Sequence, residues 1–150
     1  MRFLGGVSRC RLGLTLLLII VLMVVACGEK KQGKVIVSEE EFLLRQDTDH
    51  SWVIDAKGKV KNVGEVDVKN VVVTGYCKSC TEVVTNGTWF ISDVEKTPEQ
   101  KDTISYLVPG AEEEFSFRGV AFLMDQSGRS PQQKPETMEV EVVSFETVPD

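Results

Sequence analysis

The chain is poor in the residues on which most catalysis at neutral pH depends. It holds one histidine, His50, in 150 residues. A Ser-His-Asp or Cys-His constellation would have His50 as its only base, and no Gly-x-Ser-x-Gly elbow accompanies it. A phosphate-cradling glycine loop is missing too, which excludes the common nucleotide-binding folds. So are basic clusters: 17 Lys and Arg stand against 23 Asp and Glu, a net charge of −6. A surface of that sign repels phosphate backbones, so nucleic acid is not a partner. No catalytic residue and no cofactor is expected, and the chain reads as a non-enzyme. Its single long apolar run, Leu12 to Val25, is shorter than the roughly 20 residues needed to cross a bilayer.

What is present begins with that run. Arg2, Arg9 and Arg11 lead into it, and Val24-Val25-Ala26-Cys27-Gly28 closes it. A positive start, an apolar middle and a small residue before the cut is the order of a secretory signal. With a cysteine directly after Ala26, the segment resembles a bacterial lipoprotein signal. The resemblance implies a signal peptide over 1–26, lipid on the Cys27 thiol, and a membrane anchor through that lipid. A transmembrane helix, and an ordinary cleaved signal with Cys27 there by accident, are the competing readings. The charged Glu29-Lys30-Lys31 directly beyond this small-residue boundary favours lipidation. Each buried methylene contributes about 0.8 kcal/mol, so one acyl chain anchors only weakly. Lipoproteins of this kind are similar in carrying two or three. Gly28 stands where an aspartate would signal inner-membrane retention, which implies the outer membrane in a cell that has two. The exported domain then lies in the cell envelope, outside the cytoplasm.

Removal of residues 1–26 leaves 124 of the 150, one domain by length and enough to bury a core. The leader takes three arginines and no acid with it, moving the net charge from −6 to −9. Residues 28 to 34, Gly-Glu-Lys-Lys-Gln-Gly-Lys, carry no apolar side chain and read as a flexible tether; with Cys27, the lipidated tether is 27–34.

From residue 35 the hydrophobic period is mostly two. Lys34 to Leu44 reads as a strand, interrupted by Glu39-Glu40-Glu41. In the next, Trp52, Ile54, Ala56, Gly58 and Val60 share one face, with Asp55, Lys57, Lys59 and Lys61 on the other. Asn62-Val63-Gly64-Glu65 supplies turn chemistry, and Val68 to Tyr76 follows as a strand with Val71-Val72-Val73 near its buried middle. Thr81 to Thr85 and Thr88 to Ser92, split by Asn86-Gly87, read as a hairpin with a type I′ turn. Thr97-Pro98-Glu99 starts a single helical turn, and Ile104 to Val108 forms a strand closed by Pro109-Gly110. Glu114 to Leu123 places Phe115 and Phe117 inward and Ser116 and Arg118 outward. Residues 125 to 136 form a loop, and Thr137 to Phe145 is the last strand. About seven short strands without a long helix predict an all-β, immunoglobulin-like antiparallel β-sandwich over 35–150. Trp52, Phe115 and Phe117 are its expected core anchors. The acidic runs 39–41 and 112–114 lack the spacing of a calcium loop and read as solvated edges.

Val60-Lys61-Asn62-Val63-Gly64, Val68-Lys69-Asn70-Val71-Val72-Val73, Leu107-Val108-Pro109-Gly110-Ala111-Glu112 and Phe115-Ser116-Phe117 occur in a recognisable order. They resemble the exported FxLYD domains and the related late-embryogenesis-abundant-type and CARDB-type sandwiches. The resemblance spans roughly Trp52 to Phe145. It implies an auxiliary or interaction module without shared catalytic residues.

One motif remains. Of four cysteines, Cys10 leaves with the leader and Cys27 takes lipid, so Cys77 and Cys80 form a Cys-x-x-Cys pair in an oxidising setting. In a thioredoxin-like site a helix N-terminus activates the first thiol. Here Thr81 to Gly87 favours strand and turn, and Lys78 is the only adjacent cation. A zinc site is half supplied by this pair plus His50, 27 residues before Cys77. The favoured reading is a local disulfide worth about 2 kcal/mol at most for so short a ring. The principal function expected is a lipid-anchored binding or structural module that meets an envelope protein, its small-molecule ligand unknown. Its working surface is expected at the end where the Cys77–Cys80 bend meets the 125–136 loop. The alternative is a thiol redox or metal-handling protein using Cys77 and Cys80.

Overall fold

The computed structural model describes residues 31–92 and 95–149. Cys27, Cys10 and the leader lie outside the described residues. Among the described residues, seven strands form two antiparallel sheets: β1 Val35–Thr48, β2 Ser51–Asn62, β3 Val68–Cys77, β4 Trp89–Phe90, β5 Lys101–Leu107, β6 Glu112–Met124 and β7 Met138–Thr147. One sheet runs β1-β2-β6-β4 and the other β5-β3-β7. The order β1-β2-β6 against β5-β3-β7 is that of strands A-B-E and C′-C-F in the immunoglobulin plan.

Alternation decides which side chains fill the space between the sheets. Ile54, Ala56 and Val60 of β2 meet Phe115, Phe117 and Ala121 of β6, with Val68, Val71 and Val73 of β3 opposite, in one core cluster. Phe115 and Phe117 are 2% and 3% exposed, as the pattern predicts, and their rings stack at 5.7 Å. The Pro109-Gly110 turn closes as expected, Ala111 N donating to Val108 O at 3.1 Å. The single turn at Pro98–Gln100 is a 3-10 turn.

β1 extends four residues beyond its expected end at Leu44, and its broken alternation has a local cause. A bulge at Ser38 shifts the register with β2 between Val37 and Glu39. Val35 and Val37 before it, and Phe42 and Leu44 after it, therefore all pack on the core despite their opposite parity. The acidic run at that bulge is not a simple solvated edge. Glu39 pairs with Lys59 at 3.2 Å and Glu41 with Lys57 at 3.0 Å across the β1–β2 ladder.

Three expectations are corrected. Thr81 to Ser92 is not a hairpin: only Trp89 and Phe90 form a strand, pairing with Leu123 and Phe122 of β6. Asn86-Gly87 does make a turn, Thr88 N donating to Thr85 O at 3.2 Å. Positive φ occurs at Gly87 (74°) but not at Asn86, which suits a type II turn and not type I′. Second, Trp52 lies outside the core cluster, half-buried one residue from the start of β2, whereas Trp89 packs against that cluster. Both flank Leu123 in register, so Trp52, Leu123 and Trp89 form a row across β2, β6 and β4. Third, Gln32 to Lys34 do not behave as a free tether. Gln32 O accepts Glu65 N at 3.0 Å, and Lys34 O accepts Val63 N at 2.8 Å and Gly64 N at 3.1 Å. Gly33 fits so closely that a methyl there would sit 2.7 Å from Thr147 Cγ2. Polar residues can dock through their backbone alone, which a side-chain pattern does not register.

Polar side chains tie the layers together. Asn62, fully buried, donates from Nδ2 to Val66 O and Leu107 O, each at 2.9 Å, while its Oδ1 accepts Gly64 N at 3.0 Å. At the other side, Arg45 Nε donates to Asp55 Oδ2 at 2.8 Å, and Asp55 Oδ1 accepts Gly119 N at 3.1 Å. Gly119 O in turn accepts Gln100 Nε2 at 2.7 Å, and Gln100 O accepts Thr74 Oγ1 at 2.6 Å. The chain of contacts thus runs from β1 to β3 through a β6 bulge where Gly119 has φ 75°.

Side chains from the opposite layer and from the 125–136 loop also cap single backbone groups on strand edges. Glu40 Oε2 of β1 accepts Val140 N of β7 at 2.8 Å, and Asp102 Oδ2 of β5 accepts Ser116 N of β6 at 2.8 Å. Lys134 Nζ donates to Phe42 O of β1 at 2.6 Å. Three backbone groups that could pair with another strand are thereby occupied.

Candidate functional site

β3 delivers Cys77 into the core, 7% exposed, at one end of the sandwich. The chain then bends, and Cys80 Sγ lies 1.96 Å from Cys77 Sγ, at disulfide distance. The bend is held to the start of β7 from both sides. Lys78 N donates to Thr137 O at 2.9 Å, and Thr137 N donates to Ser79 Oγ at 3.1 Å. The Lys78 ammonium pairs with Glu139 and with Glu141, the latter at 3.7 Å. Hydrogen bonding to Glu139 raises the Lys78 pKa, so this cation is engaged by β7 carboxylates.

The 125–136 loop arrives at the same end. Asp125 N donates to His50 O at 2.9 Å in the turn between β1 and β2. The Asp125 carboxylate accepts both Ser127 N (2.8 Å) and Ser127 Oγ (2.7 Å), which holds its pKa below the usual carboxylate value. Arg129 Nε donates back to Ser127 Oγ at 3.1 Å. From the third side, Gly87 N donates to Met124 O at 2.7 Å, and Gln126 N donates to Asn86 Oδ1 at 2.9 Å. The Trp89 indole N–H crosses to Gln133 O at 3.0 Å, pinning the middle of the loop.

Between these parts lies an open groove of about 740 Å³. Trp89 and Leu123 form its apolar floor, Ser79 one wall, and Arg129, Gln132 and Pro135 lie along the loop side. An aromatic floor with a few directed polar groups suits an extended or flexible ligand segment. The two features expected to meet, the cysteine bend and the 125–136 loop, are brought together here. His50 is not joined to them as a ligand: it is exposed, and among the described residues no cluster of three or more His, Cys, Asp or Glu is arranged to hold a metal.

Trp89 and Gln133 were not legible as site residues. Trp89 sits in a stretch that reads only as one arm of a hairpin, and Gln133 contributes only a carbonyl. Gln100, the buried hub near Gly119, did leave a signal: Thr97-Pro98-Glu99-Gln100 has the spacing of a capping box. Thr97 N indeed donates to Gln100 Oε1 at 3.0 Å.

Comparison with protein-family models, curated proteins and solved structures finds no match to this chain. The fold and the groove alone define its class: an immunoglobulin-like β-sandwich with a loop-built cleft at one end. Among the described residues, no helix is long and apolar enough to cross a membrane.

Proposed function

We propose that the protein is a lipid-anchored, non-enzymatic lipoprotein of the cell envelope whose sandwich binds a partner protein. The anchor rests on the leader and Cys27; the binding role rests on the groove between Trp89, the cysteine bend and the 125–136 loop. That groove is the observation carrying the reading, because three chain segments remote in sequence are hydrogen-bonded to one another there and still leave a cleft. The Cys77–Cys80 pair serves as a brace for one wall of this cleft. Burial of Cys77 and engagement of Lys78 by Glu139 support a structural role over thiol chemistry. Kinship with FxLYD-type modules is part of the same proposal, as is outer-membrane residence in a cell with two membranes.

The test has two arms. Radiolabelled fatty acid is expected on the wild-type protein and lost in Cys27→Ser; equal labelling of both removes the anchor. A photo-crosslinking residue at Gln132, in the groove, is expected to give a discrete envelope-protein adduct in cells, and one at Lys57, on the sheet face, none. Identical patterns from both positions remove the binding role.

A further inference from the structure

The way the chain enters the domain fixes more than its starting point. Gln32 and Lys34 are hydrogen-bonded to the 63–65 turn, and Gly33 packs on Val68, Phe145 and Thr147. These contacts all lie at the end of the sandwich opposite the groove: β3 runs from Val68, paired with Thr147, to Cys77, paired with Met138. The same end carries two turns joined through Asn62, whose carbonyl accepts Gly110 N at 2.7 Å and whose side chain bonds Leu107 O. Each turn exposes one valine, Val63 at 42% and Val108 at 45%.

Only five peptide steps separate Cys27 from Gln32, a span of at most roughly 18 Å fully extended. The tether is thus too short to let the domain turn over. β2, 12 residues long, sets the two ends about 40 Å apart. We propose that the anchored domain stands on the bilayer on its Asn62 end, with Val63 and Val108 at the lipid headgroups, so that the Trp89 groove faces away from the membrane. The inference rests on the lipid-anchor reading above. The occupant of the valine-tipped end is a lipid surface, because the chain leaves the domain there with too few residues to reach anywhere else.

The full-length lipidated protein, in vesicles of phosphatidylcholine and phosphatidylethanolamine, provides the test. Nitroxide labels are placed singly through Val63→Cys, Val108→Cys and Val83→Cys, the last an exposed valine (70%) at the groove end. Labels at 63 and 108 are expected to collide with lipid-soluble oxygen several-fold more than with an aqueous nickel chelate, and the label at 83 the reverse. Hydrogen exchange of the unsubstituted protein in the same vesicles is expected to show extra protection at 62–66 and 107–111 only, whatever the labels do to folding. Mass spectrometry of the same sample reads lipid on Cys27. Lipid present, with labels and exchange at the two ends indistinguishable, overturns the orientation alone. Lipid absent overturns the anchor and the orientation with it.

Discussion

The side-chain amide of Asn62 donates to the carbonyl of Leu107, 45 residues further along the chain, at 2.9 Å inside a fully buried site. Through this contact the end of β2 fixes the end of β5 in the other sheet. A turn asparagine is usually replaceable; this one satisfies a buried carbonyl, a part-buried carbonyl and a part-buried amide at once. Asn62→Ala is expected to lower stability by about 2–4 kcal/mol, since each orphaned buried group carries its full desolvation penalty. Asn62→Asp should be worse, because a carboxylate would face two carbonyl oxygens. Urea denaturation midpoints of residues 31–150 check both.

The two tryptophans flanking Leu123 should behave differently. Trp89→Phe removes the donor to Gln133 O and is expected to lower stability by about 1 kcal/mol. It should also speed amide exchange across residues 129–136. The Trp52 indole N–H is buried without a hydrogen-bond partner among the described residues, so Trp52→Phe discards an unsatisfied donor. Its effect on stability should be smaller, and exchange in the loop unchanged. Paired exchange and denaturation measurements separate the two.

Reducing the Cys77–Cys80 bridge should lower stability by no more than about 2 kcal/mol, the loop-entropy limit for a four-residue ring. The sandwich is expected to survive, with increased exchange at Lys78 and Thr137, whose backbones the bend clasps. Thermal melts with and without a phosphine reductant check the first point, and amide exchange the second.

Asp125 should titrate below the ordinary carboxylate range because Ser127 donates to its charged form from both side chain and backbone. A depressed folded pKa means the contribution is complete above the unfolded value and lost as pH falls through the folded one. The 125–128 turn is therefore expected to stay ordered under mild acid and loosen only below the usual aspartate range. In Ser127→Ala the Asp125 midpoint should move upward, part of the way back, by carbon-detected NMR titration.

Much of the architecture was readable because β2 from Ile54 to Val60 and the first half of β6 carry two-residue periods against a single core. Phe115, Phe117, Ile54 and Val60 could be placed without coordinates for that reason. The failures share a physical origin in contacts that side-chain polarity does not encode. The Ser38 bulge reverses parity within β1 without any glycine or proline to announce it. Gln32 to Lys34 dock by backbone hydrogen bonds, and Thr81 to Thr85 carries β-branched residues yet finds no strand partner beyond the single Thr81–Phe90 bridge. At the candidate site, the cysteine bend and the 125–136 loop were visible as punctuation in the sequence. The Trp89–Gln133 bond that joins them spans 44 residues and involves a carbonyl any residue could offer.

The carboxylates of Glu40 and Asp102 sit on backbone groups of the neighbouring sheet's rim, and the ammonium of loop residue Lys134 sits on a carbonyl of β1. Pairing with another strand at these three points would first require breaking charge-assisted bonds. At those three points the molecule's own side chains stand where a neighbouring strand would pair.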